Sequence, residues 1–454
     1  MIKRIRNYIN RSEFTKNTLT LFTGATVAQI IPVLISPVLS RLFTPADFGL
    51  LALYMSIAGI LAVFASGRYE MAIMLPKKDE DAINIFSLSL FFCIVISILI
   101  AVAVLIFNTQ ITTLTGNKGI SFYLYFLPLT VFSLAFYKVL LYWFNRNNQF
   151  KKIAISKVIN SSVNSFTSLI LGIFKKGSLG LIFSWIIGQL ISMIYLLVKM
   201  LRENRAFFKY VRRPKMIALA KRYKKFPLFD TWSELLNVLA AELPVIVLIR
   251  FFGEGITGHY SFTYKVLLLP FSLLAFSIGQ AYFKKASELK DSLPSVSNFT
   301  LSVLKKLVLI SFVPLSIVAV FGDFLFPFVF GIEWKEAGTY SKIFSLWVFA
   351  IFITSPLTNI FALFERQRTN LIFNLITFII RTGLLIGLSL RNEDALTVVF
   401  WYAFSGFIFR LIYLMIIASI ARLEFIKVLK VLLKAVVFCL ILMGLRYLIP
   451  IPVH

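Results

Sequence analysis

The stretch Ile83–Phe107, INIFSLSLFFCIVISILIAVAVLIF, runs for 25 residues without a charged side chain. About 20 apolar residues let a helix cross a hydrocarbon core of about 30 Å, so this stretch predicts a transmembrane helix. Twelve more apolar runs follow the same rule. The predicted spans are 17–41, 48–67, 83–107, 120–144, 154–174, 179–201, 227–251, 257–283, 303–330, 338–364, 369–390, 396–420 and 429–449. Helices are required because lipid offers backbone N–H and C=O groups no hydrogen-bond partner.

The composition of the whole chain agrees with this pattern. Its 454 residues are 59% hydrophobic and 15% charged, and the mean hydropathy is +0.86. That leaves too little polar surface to cover a water-soluble fold of this size. The sequence therefore predicts an all-α polytopic membrane protein and argues against a soluble enzyme.

The net charge of +27 comes from basic residues that are unevenly distributed among the loops. Basic residues occupy the N-terminus and then every second loop, most densely between Lys199 and Lys225. About 34 of the 47 Lys and Arg residues fall on one side of the predicted membrane and about 9 on the other, which is the positive-inside bias. We therefore expect a cytoplasmic N-terminus and contacts with anionic phospholipids, and no nucleic-acid partner.

The longest predicted loop divides the chain into two parts. We expect an N-lobe of six helices over 1–201, a basic cytoplasmic linker over 202–226, a C-lobe of six helices over 227–420, and an appended C-terminal helix over 421–454. A faint echo links RLFTPADFG at 41–49 to RFFGEGITG at 250–258. Because six spans separate the copies, they predict parallel repeats in a pseudo-two-fold arrangement around a central cavity.

Several stretches resemble a known family. They are GATVAQIIP at 24–32, SPVLSRLFTPADFG at 36–49, GRYE at 67–70, LPK at 75–77, YKVLLLP at 264–270 and GQAYFKKAS at 279–287. These stretches are similar to bacterial polysaccharide-unit (Wzx-type) flippases of the multidrug/oligosaccharidyl-lipid/polysaccharide exporter (MOP) superfamily. Such proteins serve the synthesis of O-antigen on lipopolysaccharide, capsule or exopolysaccharide. A thirteenth span departs from the pattern of twelve-span members.

The resemblance implies a fold and a function. The fold would be two six-helix lobes arranged as in MATE transporters. The function would be to move undecaprenyl-diphosphate-linked oligosaccharide repeat units from the cytoplasmic to the periplasmic leaflet by alternating access. It also implies a location in the bacterial inner membrane, with polysaccharide polymerase or chain-length machinery as a possible partner.

Basic side chains inside the predicted spans are the first candidates for holding such a cargo. Arg381, Arg410, Lys265 and Lys138 each cost about 2.5–3.5 kcal/mol to insert at a helix centre, so each should face a partner or water. The two arginines lie midway along their spans and can hold a diphosphate or an acidic sugar bidentately. Lys138 lies near a span end, where snorkelling is the competing explanation. Structural pairing with a carboxylate is the alternative for all four.

Acidic side chains on span seven are candidates for ion coupling. Asp230, Glu234 and Asn237 are spaced i, i+4, i+7 and share one helix face, while Glu242 lies two turns beyond Glu234. A carboxylate in a low-dielectric site tends to take up a proton, and one beside an arginine tends to release it. This predicts coupling to H⁺ or Na⁺, with no bound cofactor. A static Arg–Glu bridge between the lobes is the alternative.

Arg68-Tyr69-Glu70 closes span two on the predicted cytoplasmic side. Ion pairs of Arg68 and Glu70 would form a cytoplasmic gate, and the alternative is a solvated loop. The sequence contains neither a Walker-type phosphate loop nor a nucleophile elbow, and its two histidines and two cysteines predict no metal site or disulfide. Two other functions remain open: a multidrug or cation antiporter of the same superfamily, and a membrane glycosyl-transfer enzyme.

Overall fold

The computed structural model describes the backbone of residues 13–448. Side chains are described from 23 to 433, except for Ala25, and at 442, 444 and 446. The basic N-terminal residues Lys3, Arg4, Arg6 and Arg11, which contribute to the predicted orientation, lie outside the described residues. Most side chains in the second half of the thirteenth predicted span also lie outside them.

The first half of the chain is helical almost throughout. Its helices are α1 (Glu13–Leu42), α2 (Pro45–Ala65), α3 (Tyr69–Ala72), α4 (Asp79–Thr115), α5 (Ser121–Leu124), α6 (Leu127–Arg146), α7 (Phe150–Ile173), α8 (Gly177–Asn204) and α9 (Arg213–Arg222). A 3₁₀ turn, Arg205–Tyr210, precedes α9, and a π-helical turn, Phe226–Asp230, follows it. The predicted basic linker, 202–226, is therefore folded into helical segments.

The second half follows the same pattern. Its helices are α10 (Thr231–Glu288), α11 (Leu293–Phe330), α12 (Lys335–Thr354), α13 (Ile360–Leu363), α14 (Gln367–Leu390), α15 (Ala395–Ile420) and α16 (Phe425–Leu448). The thirteenth predicted span, 429–449, thus falls on α16. Among the described residues, nine helical segments are long and apolar enough to cross a membrane, which makes this a multi-pass membrane protein.

One of the nine segments includes two predicted spans. The 58 residues of α10 would extend about 87 Å at 1.5 Å per residue, nearly three times a hydrocarbon core of about 30 Å. The helix is interrupted at Gly253, whose φ of 81° and ψ of −175° are accessible to glycine and strained for other residues. This break falls between the predicted spans 227–251 and 257–283.

The two echoed segments differ in local structure. At the first, Thr44 and Asp47 form a capping box: the Thr44 side chain accepts from the Asp47 amide, and the Asp47 carboxylate accepts from the Thr44 amide at 2.9 Å. At the second, the helix breaks at Gly253, whose φ is 81°. The segments meet where Gly49 touches the Glu254 backbone, since a Cβ on Gly49 would lie 2.0 Å from the Glu254 carbonyl oxygen.

The chain packs as two compact units, 1–254 and 255–454. The core of the described part of the first unit includes Tyr54, Phe86 and Trp143. In the second unit, the core is built around Tyr282, Leu357 and Leu414. The packing boundary at Glu254 lies beyond the predicted linker, so the helical segment that contains Glu234 and Glu242 packs with the first unit. The division into two six-helix lobes stays a prediction.

Candidate functional site

Arg381, on α14, is enclosed by aromatic rings of the second unit. Its guanidinium carbon lies 4.1 Å from the ring centroid of Tyr402 on α15 and 4.4 Å from that of Trp347 on α12. Its Nη2 also donates to the backbone carbonyl of Tyr402 at 3.2 Å. Three helices therefore fix the position of this charge.

A glycine makes room for the enclosure. A Cβ on Gly406 would lie 2.5 Å from Nε1 of Trp347 and 2.8 Å from Nη2 of Arg381. Real Cβ atoms essentially never come this close to another heavy atom. The absence of a side chain on Gly406 thus lets Arg381 and Trp347 lie against the backbone of α15.

Further aromatic rings extend the enclosure toward α10. Trp347 stacks on Tyr264 with ring centroids 5.2 Å apart and an interplanar angle of 27°, and it meets Tyr402 edge to face at 5.7 Å. Tyr264 in turn stacks on Tyr260 at 6.3 Å. Rings already in contact with one another lose little freedom when they hold a cation, so the position of Arg381 is preorganised.

Arg410, on α15, has weaker protein partners. Its guanidinium carbon lies 5.7 Å from the ring of Tyr413, and it is within electrostatic range of Tyr264 and Arg381. Tyr413 is itself held by a 2.5 Å hydrogen bond to Asn370, which also accepts from Asn374 at 2.8 Å. The Arg410 side chain makes no hydrogen bond or ion pair with any described residue.

The magnitudes of these contacts separate the two arginines. Two cation–π contacts at about 0.5–2 kcal/mol each can offset an insertion cost of about 2.5–3.5 kcal/mol for Arg381. The single, longer ring contact of Arg410 offsets less. Nε of Arg381 is buried without a hydrogen-bond partner within the described part of the chain. Across that same part, no carboxylate forms an ion pair with either arginine, so two neighbouring positive charges are left uncompensated.

The two candidate lysines have different surroundings. Lys265 follows Tyr264 on α10, and its side chain is exposed and in contact with a neighbouring group. Lys138 lies on α6 in the first unit, is half-buried, and forms neither a hydrogen bond nor an ion pair with the residues described. The second unit therefore brings together Arg381 and Arg410, with Lys265 next in sequence to their aromatic neighbour Tyr264.

The first unit collects acids around one arginine. Arg68 lies 3.7 Å from Glu70 and 3.7 Å from Glu234, measured from its Nη1 to the carboxylate oxygens. Glu70 is only 1% exposed and accepts a 2.5 Å hydrogen bond from Ser66. Glu70 of the predicted gate pair and Glu234, a predicted coupling acid, thus share the cation Arg68.

The backbone at this site is unusual. Gly67 and Arg68 both have left-handed φ angles, 57° and 59°, and the second is uncommon for a residue with a side chain. Nε of Arg68 is buried without a hydrogen-bond partner among the described residues. The turn between α2 and α3 therefore holds Arg68 in a conformation that its local sequence does not favour, which is a known feature of functional sites.

The other predicted acids lie apart from this cluster. Glu242 accepts a 2.6 Å hydrogen bond from Ser56 on α2. Asp230 ends the π-helical turn before α10, is half-buried, and forms no ion pair within the described chain. Glu254, which was not among the predicted site residues, accepts a 2.7 Å hydrogen bond from Asn117. A carboxylate just after a predicted span was the available signal.

The linker helix α9 packs beside the arginine cluster. The hydroxyl of Tyr69 donates to the Ala220 carbonyl at 3.2 Å. Asn84, at the start of span three, donates to the Tyr210 carbonyl and accepts from the Arg212 amide, both at 2.9 Å. Asn84 was not among the predicted site residues, although a side-chain amide inside an apolar run indicates a hydrogen-bond partner.

An ion pair also joins α9 to α4. Lys215 lies 2.8 Å from Asp81 and 3.4 Å from Glu80. The hydrogen bond to Asp81, with a smaller contribution from Glu80, raises the pKa of the Lys215 ammonium above its usual value. The linker is thus tied to α4 by two hydrogen bonds of Asn84 to its backbone and by two ion pairs of Lys215.

The helical architecture and the apolar segments define a polytopic membrane protein of the MOP fold. Solved structures support the fold. A lipid II flippase, MurJ, in an inward-closed conformation matches with a TM-score of 0.69 at 15% identity, over 95% of this chain and 93% of that one. An inward-facing multidrug resistance MATE transporter of the MOP superfamily matches with a TM-score of 0.58 at 13% identity, over 89% and 95%.

Residues 38–339 match the model of a family described as polysaccharide biosynthesis protein, and the chain belongs to this family. It is also 22% identical over 240 residues to the succinoglycan biosynthesis transport protein ExoT of Rhizobium meliloti (strain 1021). That match includes 52% of this chain and 46% of the relative, so the chain spans about half the length of the curated relative that it matches. The predicted family resemblance and fold class are confirmed.

Proposed function

We propose that this transporter flips undecaprenyl-diphosphate-linked oligosaccharide repeat units from the cytoplasmic to the periplasmic leaflet. The observation that carries the proposal is the pair Arg381 and Arg410, two neighbouring cations in the described part of the second unit with aromatic and backbone partners and no carboxylate. Such a site has an uncompensated positive charge for a diphosphate or an acidic sugar. Membership in a polysaccharide biosynthesis family and the likeness to a lipid II flippase support this cargo class.

The two arginines are suited to different tasks. Arg381 is held by two rings and one carbonyl, so its free N–H groups are aimed in a fixed direction. Arg410 has one distant ring contact and retains all its donors for a ligand. A planar guanidinium matches phosphate oxygens bidentately, which an ammonium cannot do. We therefore assign phosphate binding to Arg410, with Arg381 as a fixed second charge, and a supporting role to Lys265.

Ion coupling is assigned to acids of the first unit. Glu234 shares Arg68 with the buried Glu70, and Glu242 is held by Ser56. If Arg68 moves away from Glu234, that carboxylate would lose its cationic partner and be open to H⁺ or Na⁺ in its place. In this hypothesis the Arg68–Glu70–Glu234 contacts act as the cytoplasmic gate, and no other cofactor is needed.

The membrane context follows from the same proposal. The basic loops favour an inner-membrane location with the N-terminus in the cytoplasm. Cargo would enter from the cytoplasmic leaflet, and after alternating access it would be delivered to periplasmic polymerase or chain-length machinery.

Leaflet-resolved measurement of the lipid-linked sugar in cells lacking the protein tests the proposal. The probe is a membrane-impermeant sugar label applied to spheroplasts. We expect unlabelled repeat units to accumulate without the protein. Wild type should relieve the accumulation, as should Arg391→Gln, which removes an exposed charge at the far end of α14. Arg410→Ala should fail to do so at equal membrane abundance. Normal surface polysaccharide without accumulation would refute flipping.

A multidrug or cation antiporter is the second candidate. The half-buried acids Glu234 and Glu242 are the groups that a cationic substrate would need, and a MATE transporter shares the fold. The uncompensated arginines in the second unit disfavour cationic drugs, because like charges within one site repel. Efflux of a cationic dye that depends on Glu234, with no change in lipid-linked sugars, would favour the antiporter.

A further inference from the structure

A groove of about 930 Å³ lies at one end of the second unit. It is bordered by three helix connections: Glu288 to Leu293, Leu363 to Gln367, and Ile420 to Phe425. By the distribution of basic residues, these connections belong to the predicted cytoplasmic side. The basic rim of the groove therefore lies at the level of lipid headgroups, and its lining reaches along α15 as far as Ile412, two residues from the mid-span Arg410.

The rim of the groove is basic. Lys290, Arg366 and Arg422 line it, one from each connection, together with the single acid Asp291. Their side chains form no hydrogen bond or ion pair with other residues that the structure describes, so the rim has an excess of two positive charges. α14 begins at Gln367, and the positive end of its helix dipole points toward the same rim.

The floor of the groove is apolar. Its apolar lining residues are Leu293, Phe364, Ile412, Met415, Ile416 and Ile420. Ile412 is 45% exposed despite its size. A small soluble anion would satisfy the rim and leave this floor wet, whereas a molecule with an anionic head and a hydrocarbon chain satisfies both.

We propose that this groove binds an anionic phospholipid. Its phosphate would contact Lys290, Arg366 and Arg422, and an acyl chain would lie along Ile412 and Ile416. Basic recesses between helices on the cytoplasmic side suit such headgroups, and each Lys or Arg near the surface adds to the attraction. The site is separate from the proposed transport function and would exist whatever the cargo.

Native mass spectrometry of the purified, delipidated full-length protein tests this site. The probes are cardiolipin, phosphatidylglycerol and phosphatidylethanolamine, added singly in detergent. We expect the two anionic lipids to be retained in preference to the zwitterionic one. The double variant Arg366→Gln, Arg422→Gln should lower their retention on the order of tenfold or more. The matched control Lys284→Gln, Lys430→Gln removes two exposed charges that do not line the groove and should bind as wild type does.

A second variant examines the floor without touching a charge. Ile412→Trp fills the groove and should also reduce retention of the anionic lipids. The proposal is overturned if the double variant and its control lose lipid equally. It is also overturned if undecaprenyl diphosphate binds more tightly than cardiolipin and is lost in the double variant, because the groove would then serve the cargo. Transport is not measured, so this outcome is independent of whether the protein flips sugars.

Discussion

The two units surround their buried charges in opposite ways. In the first unit, Arg68 is shared by Glu70 and Glu234, so carboxylates compensate its positive charge. In the described part of the second unit, Arg381 and Arg410 face aromatic rings and a backbone carbonyl, without a carboxylate. A cation paired with carboxylates can hold a conformation closed, whereas cations without carboxylates can bind an anionic ligand.

The difference implies different consequences of mutation. Removing one member of an ion-paired cluster leaves a buried charge without its partner, and the cost appears as lost stability. Among the described residues, Arg410 has one distant ring contact to offset its insertion cost, so its removal should relieve the fold and impair only function. We therefore expect mutations in the Arg68 cluster to lower stability, and mutation of Arg410 to lower activity without lowering stability.

The largest effect is expected for Arg68→Ala. Glu70 is 1% exposed and would retain only Ser66 as a polar partner, which should destabilise the protein by about 3 kcal/mol. Unfolding in detergent, followed by intrinsic fluorescence, measures this loss. The double variant Arg68→Ala, Glu70→Gln should recover most of it, because the stranded charge is gone. Equal stability of both variants would show that Arg68 does not compensate the charge of Glu70.

A smaller effect is expected for Gly406→Ala. The new Cβ would displace Trp347 or Arg381, and overpacking of this kind costs about 1–3 kcal/mol. Repeat-unit flipping should fall although no charge is changed. Gly383→Ala on α14 is the matched control, since a Cβ there meets nothing within 4 Å. It should leave both stability and flipping intact, and wild-type flipping by Gly406→Ala would show that the enclosure of Arg381 is irrelevant to cargo.

The helices of this fold were largely predictable from sequence. Runs of about 20 or more apolar residues have few alternatives in a chain this hydrophobic, and the break at Gly253 lies between two predicted spans. The helical state of the linker was missed, although Pro214 at the first turn of α9 is a helix-start signal. Its high density of basic residues masked the short amphipathic segment whose Leu219 is buried.

The sites were less predictable than the helices. Arg381 and Arg410 were identifiable because a charge in an apolar run is costly. The partners of Arg381 were not, since Trp347, Tyr402 and Gly406 lie on other helices and resemble many aromatic and glycine residues of the chain. The contact of Arg68 with Glu234 likewise joins residues far apart in sequence, and no local pattern indicates such a pair.

The smallest effect is expected for Lys215→Gln, which removes the ion pairs between α9 and α4. The Lys215 side chain is 33% exposed, so the pair should contribute at most about 1 kcal/mol, and amide exchange within 213–222 should accelerate by up to about fivefold. Lys221→Gln, an exposed charge on the same helix, is the control.

The pH dependence of this contact has a definite sign. Because the hydrogen bond to Asp81 raises the pKa of Lys215, its stabilisation is complete below the unfolded lysine pKa of about 10.4 and is lost as the pH rises through the folded value. The difference in exchange between wild type and Lys215→Gln should therefore stay constant from about pH 7 to 9 and shrink in more alkaline buffer. High salt should also shrink it, because the pair is partly exposed. A difference that survives both conditions would mean that Lys215 holds α9 through the packing of its side chain and not through its charge.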